Sequence, residues 1–435
     1  MTILLIYIAI FVIAFLAVKF VNSRLEQRHD FTSLKTVTFG DESAVTANRT
    51  ASVISVIAIF LIWGAFTGSK LTPLHAPGPY QGKGQFDYVV EGPDGQRDGA
   101  TAFWQVEEKK GAAEDLEITG GDGFAQNDAL NIIKYRSGQL RWDGNDEVRR
   151  RDGARIVEVN GQPTDFDPNR RDENGNLLQD RPTFRIDNGT ATLTDKGALL
   201  ITPYQGWQME PIWLPAPEAV WGRIVEIAKE GYQNSTLLEH LGWSLFRVIV
   251  GFAFGALVGI PLGYAMGLSD WFRGWFDPIV EFMRPVPPLA LIPLVIIWAG
   301  IGETGKIILL FLAALWIMTI AARAGVSGVN ITKVHAAYSL GASKWQIMRH
   351  VIMPNSLPEI FTGARVAMGV CWGTVVAAEL VAAEKGAGMM IMVASKFQLT
   401  DIVLMGIILI GIIGYGIDIL MRRIERWLVP WKGRA

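Results

Sequence analysis

Seven apolar runs, at 3–21, 52–68, 243–267, 280–300, 305–328, 361–383 and 402–421, dominate this chain of 435 residues. Runs of about 17 or more apolar residues are long enough to cross a bilayer. In lipid, every backbone N–H and C=O must be bonded within the protein, which leaves helices or closed barrels. These runs are continuous rather than alternating, so they predict helices. The expected fold class is an all-α polytopic membrane protein. Composition agrees: half the residues are hydrophobic and only 19% are charged, against about a quarter in soluble proteins.

Charge placement predicts the topology. No Lys or Arg precedes the first run, while Lys19, Arg24 and Arg28 lie at or just after its end. A cleavable signal peptide has the opposite order, so an uncleaved anchor with its N-terminus outside is expected. Arg422, Arg423, Arg426, Lys432 and Arg434 mark the C-terminal tail as cytoplasmic. Counting back through seven spans puts 329–360, 269–279 and 22–51 inside, and 69–210 outside.

Residues 69–210 contrast with the rest, with about 24 acidic and about 17 basic side chains. Short alternating stretches at 86–92, 101–107, 154–161 and 183–194 lie between Asp94-Gly95, Asp152-Gly153, Asn160-Gly161 and Asn188-Gly189. Alternation bounded by such pairs reads as strands and hairpins. About 140 residues suffice for a core, so an inserted, mostly β domain is expected. Residues 163–182 are too polar to pack and read as a loop. Residues 214–231 read as an interfacial helix behind a proline turn.

Several function classes are excluded. The formal net charge of −2 offers no basic surface for nucleic acid. A single cysteine, Cys371, makes neither an internal disulfide nor a cysteine-rich metal site. The five histidines lack metal-ligand spacing. The segment "GIGETGKI" (300–307) starts like a phosphate loop, but Ile307 stands where Ser or Thr would reach Mg²⁺. It reads instead as a glycine-rich hinge. Neither a G-x-S-x-G elbow nor an HExxH helix occurs.

Two features inside the spans stand out. Gly251, Gly255, Gly259, Gly263 and Gly267 recur every fourth residue, a smooth face for close helix packing. Pro261 is expected to kink that span. Glu379 is an ionisable residue at a span end, suited to an interhelical hydrogen bond or to a polar path. Glu384, a loop residue, reads as solvated.

The stretch "HAAYSLGASKWQIMRHVIMP" (335–354) lies between two spans. Ala336, Ala337, Leu340, Ala342 and Ile347 make a small apolar face at helical spacing. Gly341 and Ser343 break or bend it, Lys344, Arg349 and His350 add a basic side, and Pro354 is expected to stop the helix. Such a helix suits docking into a partner's groove, although a helix lying on the membrane fits the same pattern.

The stretch resembles the Glu-Ala-Ala loop of ABC importer permeases, whose pattern is Glu-Ala-Ala, three residues, Gly, nine residues, Ile-x-Leu-Pro. Here His335-Ala336-Ala337, Gly341 and Val351-Ile352-Met353-Pro354 keep the spacing. His335 replaces the acidic residue, and Val351 and Met353 are mild departures. The resemblance extends over roughly 45–70 and 211–435 to the nitrate, sulfonate and taurine permeases, most closely the taurine branch, through "SLFRVIVGFAFGALVGIPLGYAMGLS" and "VAAELVAAEKGAGMMI".

The resemblance implies a type I ABC importer permease core of six spans, with 3–21 as an extra span. Together with the charge and composition reading, the expected domains are an anchor and linker (1–51), the first core span (52–68), the inserted periplasmic β domain (69–210) and the permease core (211–435); the resemblance itself says nothing about 3–21 or the β domain. It further implies coupling to an ATPase through His335, Ala336, Ala337, Leu340, Gly341, Ala342, Ser343, Trp345 and Pro354. Trp372 and Glu379 are candidates for the translocation path. The implied partners are a cytoplasmic ABC ATPase dimer, a periplasmic substrate-binding protein, a second permease copy and the lipid bilayer, with no nucleic acid. This chain is expected to bind no cofactor or metal and not to be an enzyme. ATP and Mg would sit in the partner ATPase. The location would be a bacterial inner membrane and the cargo a small organic anion, taurine or another sulfonate. The alternative is a membrane-anchored sensor or assembly protein acting through its β domain.

Overall fold

The computed structural model describes residues 2–26, 49–108, 123–167 and 179–431, with positions 111, 116, 121, 170 and 177 between them. Most of the expected 22–51 linker, part of the 163–182 loop, Arg28, Lys432 and Arg434 lie outside the described residues. The chain divides into two compact units, Met1–Glu210 and Pro211–Ala435.

The first unit begins with helices α1 (Thr2–Glu26) and α2 (Arg49–Thr67), which pack together. The Tyr7 hydroxyl donates to the Leu74 carbonyl at 2.8 Å. Among the described residues nine strands follow: β1 (Lys83–Glu91), β2 (Arg97–Glu107), β3 (Asp128–Ile133), β4 (Gly138–Leu140), β5 (Arg155–Val159), β6 (Gln162–Pro163), β7 (Thr183–Ile186), β8 (Gly189–Leu193) and β9 (Leu199–Pro203). They form one sheet in the order β3-β2-β1-β5-β6 and another in the order β4-β9-β8-β7. All pairings are antiparallel except β2 with β3. Alternate residues of β1 and β2 turn inward, and Tyr88, Trp104, Ile132, Trp142, Leu193, Leu199 and Ile201 fill the core. Ala76 N–H bonds Ala65 C=O, and Met209 N–H bonds Phe66 C=O. Both ends of the β region are thereby tied to the end of α2.

The strands match the alternating stretches. The turns match less uniformly. Asn160 and Gly161 both have positive φ, 50° and 75°, as a tight hairpin turn requires. Asp152-Gly153 instead closes a short 3-10 turn, Arg150–Asp152. At the third site the left-handed residue is Asn188, and Gly189 already belongs to β8.

The β core contains a buried acid cluster. The Tyr88 hydroxyl donates to Asp128 Oδ2 at 2.7 Å, and the Gln126 N–H donates to Asp146 Oδ1 at 2.7 Å. Asp128 and Asp146 are both buried. Burial pushes the Asp128 carboxyl up to about 7, against the opposing Tyr88 hydrogen bond. It pushes Asp146 up to about 6, against the Gln126 hydrogen bond. Burial also raises the Tyr88 hydroxyl, which therefore stays protonated. Folded pKa values above the unfolded value near 4 mean that the folded state binds more protons. Stability is then present at low pH and lost as pH rises through about 6 to 7. Unfolding of the β unit, followed by the fluorescence of its buried Trp104 and Trp142, should have a higher midpoint at pH 5.5 than at pH 8. Asp128→Asn should flatten that dependence, and an unchanged slope would refute this origin.

The second unit is helical: α3 (Pro217–Glu230), α4 (Leu237–Leu268), α5 (Asp270–Met283), α6 (Ile292–Ala299), α7 (Glu303–Ser327), α8 (Ile331–Ser339), α9 (Lys344–Ile347), α10 (Met353–Ala382), α11 (Ala387–Lys396) and α12 (Thr400–Leu428). Among the described residues, five helices are long and apolar enough to cross a membrane: α2, α4, α7, the continuous 344–381 helix and α12. The glycine face of α4 packs on α7. A Cβ on Gly255 would stand 2.5 Å from Ala314 Cβ, and one on Gly263 would stand 2.4 Å from the Thr319 carbonyl. Only glycine permits this backbone approach. The α4 helix runs unbroken through Pro261.

Three expectations are corrected. The run 280–300 is not a straight span: α5 and the segment Pro288–Ala299 meet at 93°. Pro285, Pro287 and Pro288 cannot sustain the helical ladder there. Residues 270–279, expected as a loop, belong to α5. Finally, 387–396, which has no expected element, forms α11 with Met389 and Met390 buried.

Candidate functional site

Two places in the helical unit concentrate polar or partner-seeking chemistry. The first is the 331–353 segment. Asn330 caps α8 by accepting the Thr332 N–H at 2.8 Å. The helix ends at Leu340, and Gly341 turns the chain with φ of 81°, a conformation that side chains other than glycine rarely adopt. Ser343 then starts α9 with a reciprocal cap: its N–H bonds Gln346 Oε1 at 2.7 Å, and its hydroxyl accepts the Gln346 N–H at 3.3 Å. The helical stretch over 335–350 is therefore two helices hinged at Gly341, the break expected at Gly341 and Ser343.

Pro354 does not stop the helix, which corrects the expectation. The turn Met348–Ile352 is a π-turn, in which the Met353 N–H reaches back five residues to Met348 C=O. Pro354 follows in the first turn of α10, where its missing N–H costs little. Residues 344–381 thus run as one helix from this loop into a membrane-length segment.

The loop presents apolar surface. Leu340 is 89% exposed and Trp345 70%, with Ile331 and Tyr338 also exposed. Ile347 alone among these apolar residues is buried and anchors the turn. Lys333 Nζ donates to Asn355 Oδ1 at 2.8 Å, pinning α8 to the start of α10. His335, Ala336 and Ser343 are exposed, Ala337, Ala342 and Pro354 half-buried. Space around Gly341 is open. Exposed aromatic and aliphatic residues in one short segment, with basic neighbours, make a surface fit for a protein partner.

The second place is a buried ion network at the junction of α4, α7 and α10. Arg247 of α4 is 1% exposed. Its Nη1 donates to Glu379 Oε1 of α10 at 2.5 Å and to the Lys385 carbonyl at 2.8 Å. Its Nε and Nη2 grip Glu303 of α7 at 2.5 and 2.7 Å. Lys306 Nζ also bonds Glu303, at 2.9 Å. Glu379 Oε2 accepts from the Ser244 hydroxyl at 3.0 Å and from the Gly388 N–H at 2.9 Å. Gly386 N–H donates to His240 Nδ1 at 3.2 Å. The two cations and two carboxylates balance, and every Glu379 oxygen has a partner. This is how charge is tolerated at such depth.

Glu379 therefore holds helices together, and Trp372 does the same elsewhere. The Trp372 Nε1–H donates to the Ile410 carbonyl of α12 at 3.1 Å. Glu384 is exposed in the connection between α10 and α11. Sequence reading missed Arg247, Glu303, Lys306, Ser244 and His240. Arg247 was the available signal, since it is an arginine inside an apolar run. Glu303 and Lys306 sit in the segment read as a glycine-rich hinge once the phosphate-loop pattern failed.

Residues 255–430 match the family described as the binding-protein-dependent transport system inner membrane component. The taurine transport system permease protein TauC of Escherichia coli (strain K12) is 47% identical over 228 residues, covering 52% of this chain and 83% of that protein. The chain belongs to this family. The putative aliphatic sulfonates transport permease protein SsuC of E. coli (strain K12) is 37% identical over 227 residues, covering 52% of this chain and 84% of that protein. The nitrate import permease protein NrtB of Synechocystis sp. is 33% identical over 187 residues, 43% of this chain and 68% of that protein. The chain is accordingly an ABC importer permease subunit of the nitrate, sulfonate and taurine group, a multi-pass inner-membrane protein. This favours the permease over the sensor or assembly reading. The family description pairs such subunits with a binding protein.

Proposed function

We propose that this permease carries taurine or a closely related sulfonate inward, and that ATP binding and hydrolysis in a partner ATPase dimer drive its alternating access. The observation carrying the coupling half is the exposed Leu340–Trp345 surface at the Gly341 hinge, continuous through the π-turn with α10. Force applied to α9 passes into a membrane-length helix without an intervening flexible joint. The similarity to the taurine permease supports the substrate half. Two copies would form the translocation unit, because one copy supplies one docking loop and ABC engines have two ATP sites. This chain would hold no cofactor, with ATP and Mg²⁺ residing in the ATPase. Outside the membrane, a binding protein would deliver the sulfonate, and the β region would lie on that side.

The reading requires the Gly341 hinge and the β region to face opposite sides. In a Cys371→Ala background, cysteines at exposed Asp94 and Ser343 test this by labelling with an impermeant thiol reagent. Asp94→Cys should react in spheroplasts, and Ser343→Cys only after permeabilisation. The reverse pattern would separate the hinge from ATP and end the proposal.

A further inference from the structure

A large cleft lies within the β region, lined by none of the residues described above as candidate sites. It encloses about 1070 Å³ between the β1–β2 turn, the 3-10 turn at 150–152, the start of β5 and the β8–β9 turn. Its walls carry six cations in a region whose acidic residues outnumber its basic ones.

Four carboxylates line the cleft beside the six cations: Glu91, Asp143 and Asp195 are paired with arginines, and Asp167 is the fourth. Glu91 pairs with Arg155 at 3.0 Å and lies 3.8 Å from Arg97. Asp195 pairs with Arg181 at 2.5 Å. Asp143 Oδ2 is 2.9 Å from Arg150 Nε. Arg150 is half-buried and also donates through Nη1 to the Lys196 carbonyl at 2.6 Å. This fixes its guanidinium across the cleft floor and joins the 3-10 turn to the β8–β9 turn.

The remaining cations are uncommitted. Among the described residues, the charged ends of Arg141, Arg149, Arg151 and Lys196 have no hydrogen bond or ion pair, yet all four line the same cavity. Like charges gathered around a concavity raise a positive potential there and cost stability unless an anion occupies it. Planar guanidinium groups match oxyanions with paired hydrogen bonds. Concavity of this volume suits a small molecule rather than a flat protein interface. It also exceeds what a single small sulfonate fills.

We infer that this cleft binds a small organic or inorganic anion bearing two or more oxyanion groups, held by Arg141, Arg149, Arg151 and Lys196 over the fixed Arg150. The site is independent of the transport reading, because no residue of it belongs to the helical unit.

The test uses the full chain in detergent and isothermal titration with tripolyphosphate, ethane-1,2-disulfonate and taurine. The two multivalent anions should bind at about 20 mM salt, weaken on the order of tenfold or more at about 200 mM, and outcompete taurine. Arg141→Glu and Arg151→Glu, both at exposed positions, should each weaken binding by about tenfold or more. Arg185→Glu, an equal charge change outside the cleft, should leave it unchanged. Co-sedimentation with anionic phosphatidylglycerol vesicles, competed by tripolyphosphate and lost in Arg151→Glu, would place the same oxyanion chemistry in a lipid headgroup. No binding of either multivalent probe at low salt would overturn the site. So would equal weakening by Arg185→Glu, which would show a general charge effect.

Discussion

Arg247→Met should destabilise the helical unit by about 3–5 kcal/mol, the usual consequence of removing one member of a buried ion pair. The substitution keeps length and apolar bulk. It leaves Glu379 enclosed with a charge that only the Ser244 hydroxyl and the Gly388 N–H can offset. It also frees Glu303, which Lys306 alone would then hold. Thermal unfolding of the purified protein in detergent measures the effect. A second variant separates the ion pair from packing. Arg247→Met with Glu379→Met removes both enclosed charges and should recover most of the lost stability, since buried pairs are often replaceable by apolar residues of similar size. A single variant as stable as the parent would show that the network is not closed as described. A double variant no better than the single would assign the loss to packing around Arg247.

The second large effect falls at the hinge. Leu340→Asp should leave insertion and thermal stability unchanged, because Leu340 is 89% exposed and supports nothing in this chain. It should nevertheless reduce co-purification of the ATPase by about tenfold or more, as loss of a central apolar anchor does at protein interfaces. Gly341→Glu should act similarly but for two reasons at once. Its side chain would enter the docking surface, and its φ of 81° would strain any residue with a Cβ. Leu340 is therefore the cleaner probe. Full ATPase recovery with Leu340→Asp would exclude this face as the docking surface.

The sequence made the apolar helices legible because continuous hydrophobic runs have one solution in lipid. It made the β strands legible because alternation and turn residues act locally. The glycine row likewise announced a face for close helix packing, since a four-residue repeat has one spatial meaning on a helix, while the partner, α7, came only from the structure. What it concealed depends on distant parts of the chain. Arg247 looks like an intruder in an apolar run until Glu303 and Glu379, 56 and 132 residues away, supply its charge partners. The π-turn at 348–352 was equally hidden. Pro354 signals a helix end by its chemistry, and only a change of hydrogen-bond register turns it into a helix start. The bend between α5 and α6 was present in "RPVPP" (284–288), but hydropathy averages over prolines flanked by apolar residues.

The central claim is that the Gly341 hinge passes work from ATP to α10 during sulfonate import. The most direct measurement is ATP hydrolysis by the reconstituted complex of this permease, its ATPase and its binding protein in proteoliposomes, with and without taurine on the binding-protein side. Hydrolysis should rise when taurine-loaded binding protein is present, and Leu340→Asp should abolish that rise. Hydrolysis indifferent to loaded binding protein in an intact wild-type complex, across taurine and related sulfonates, would contradict the account.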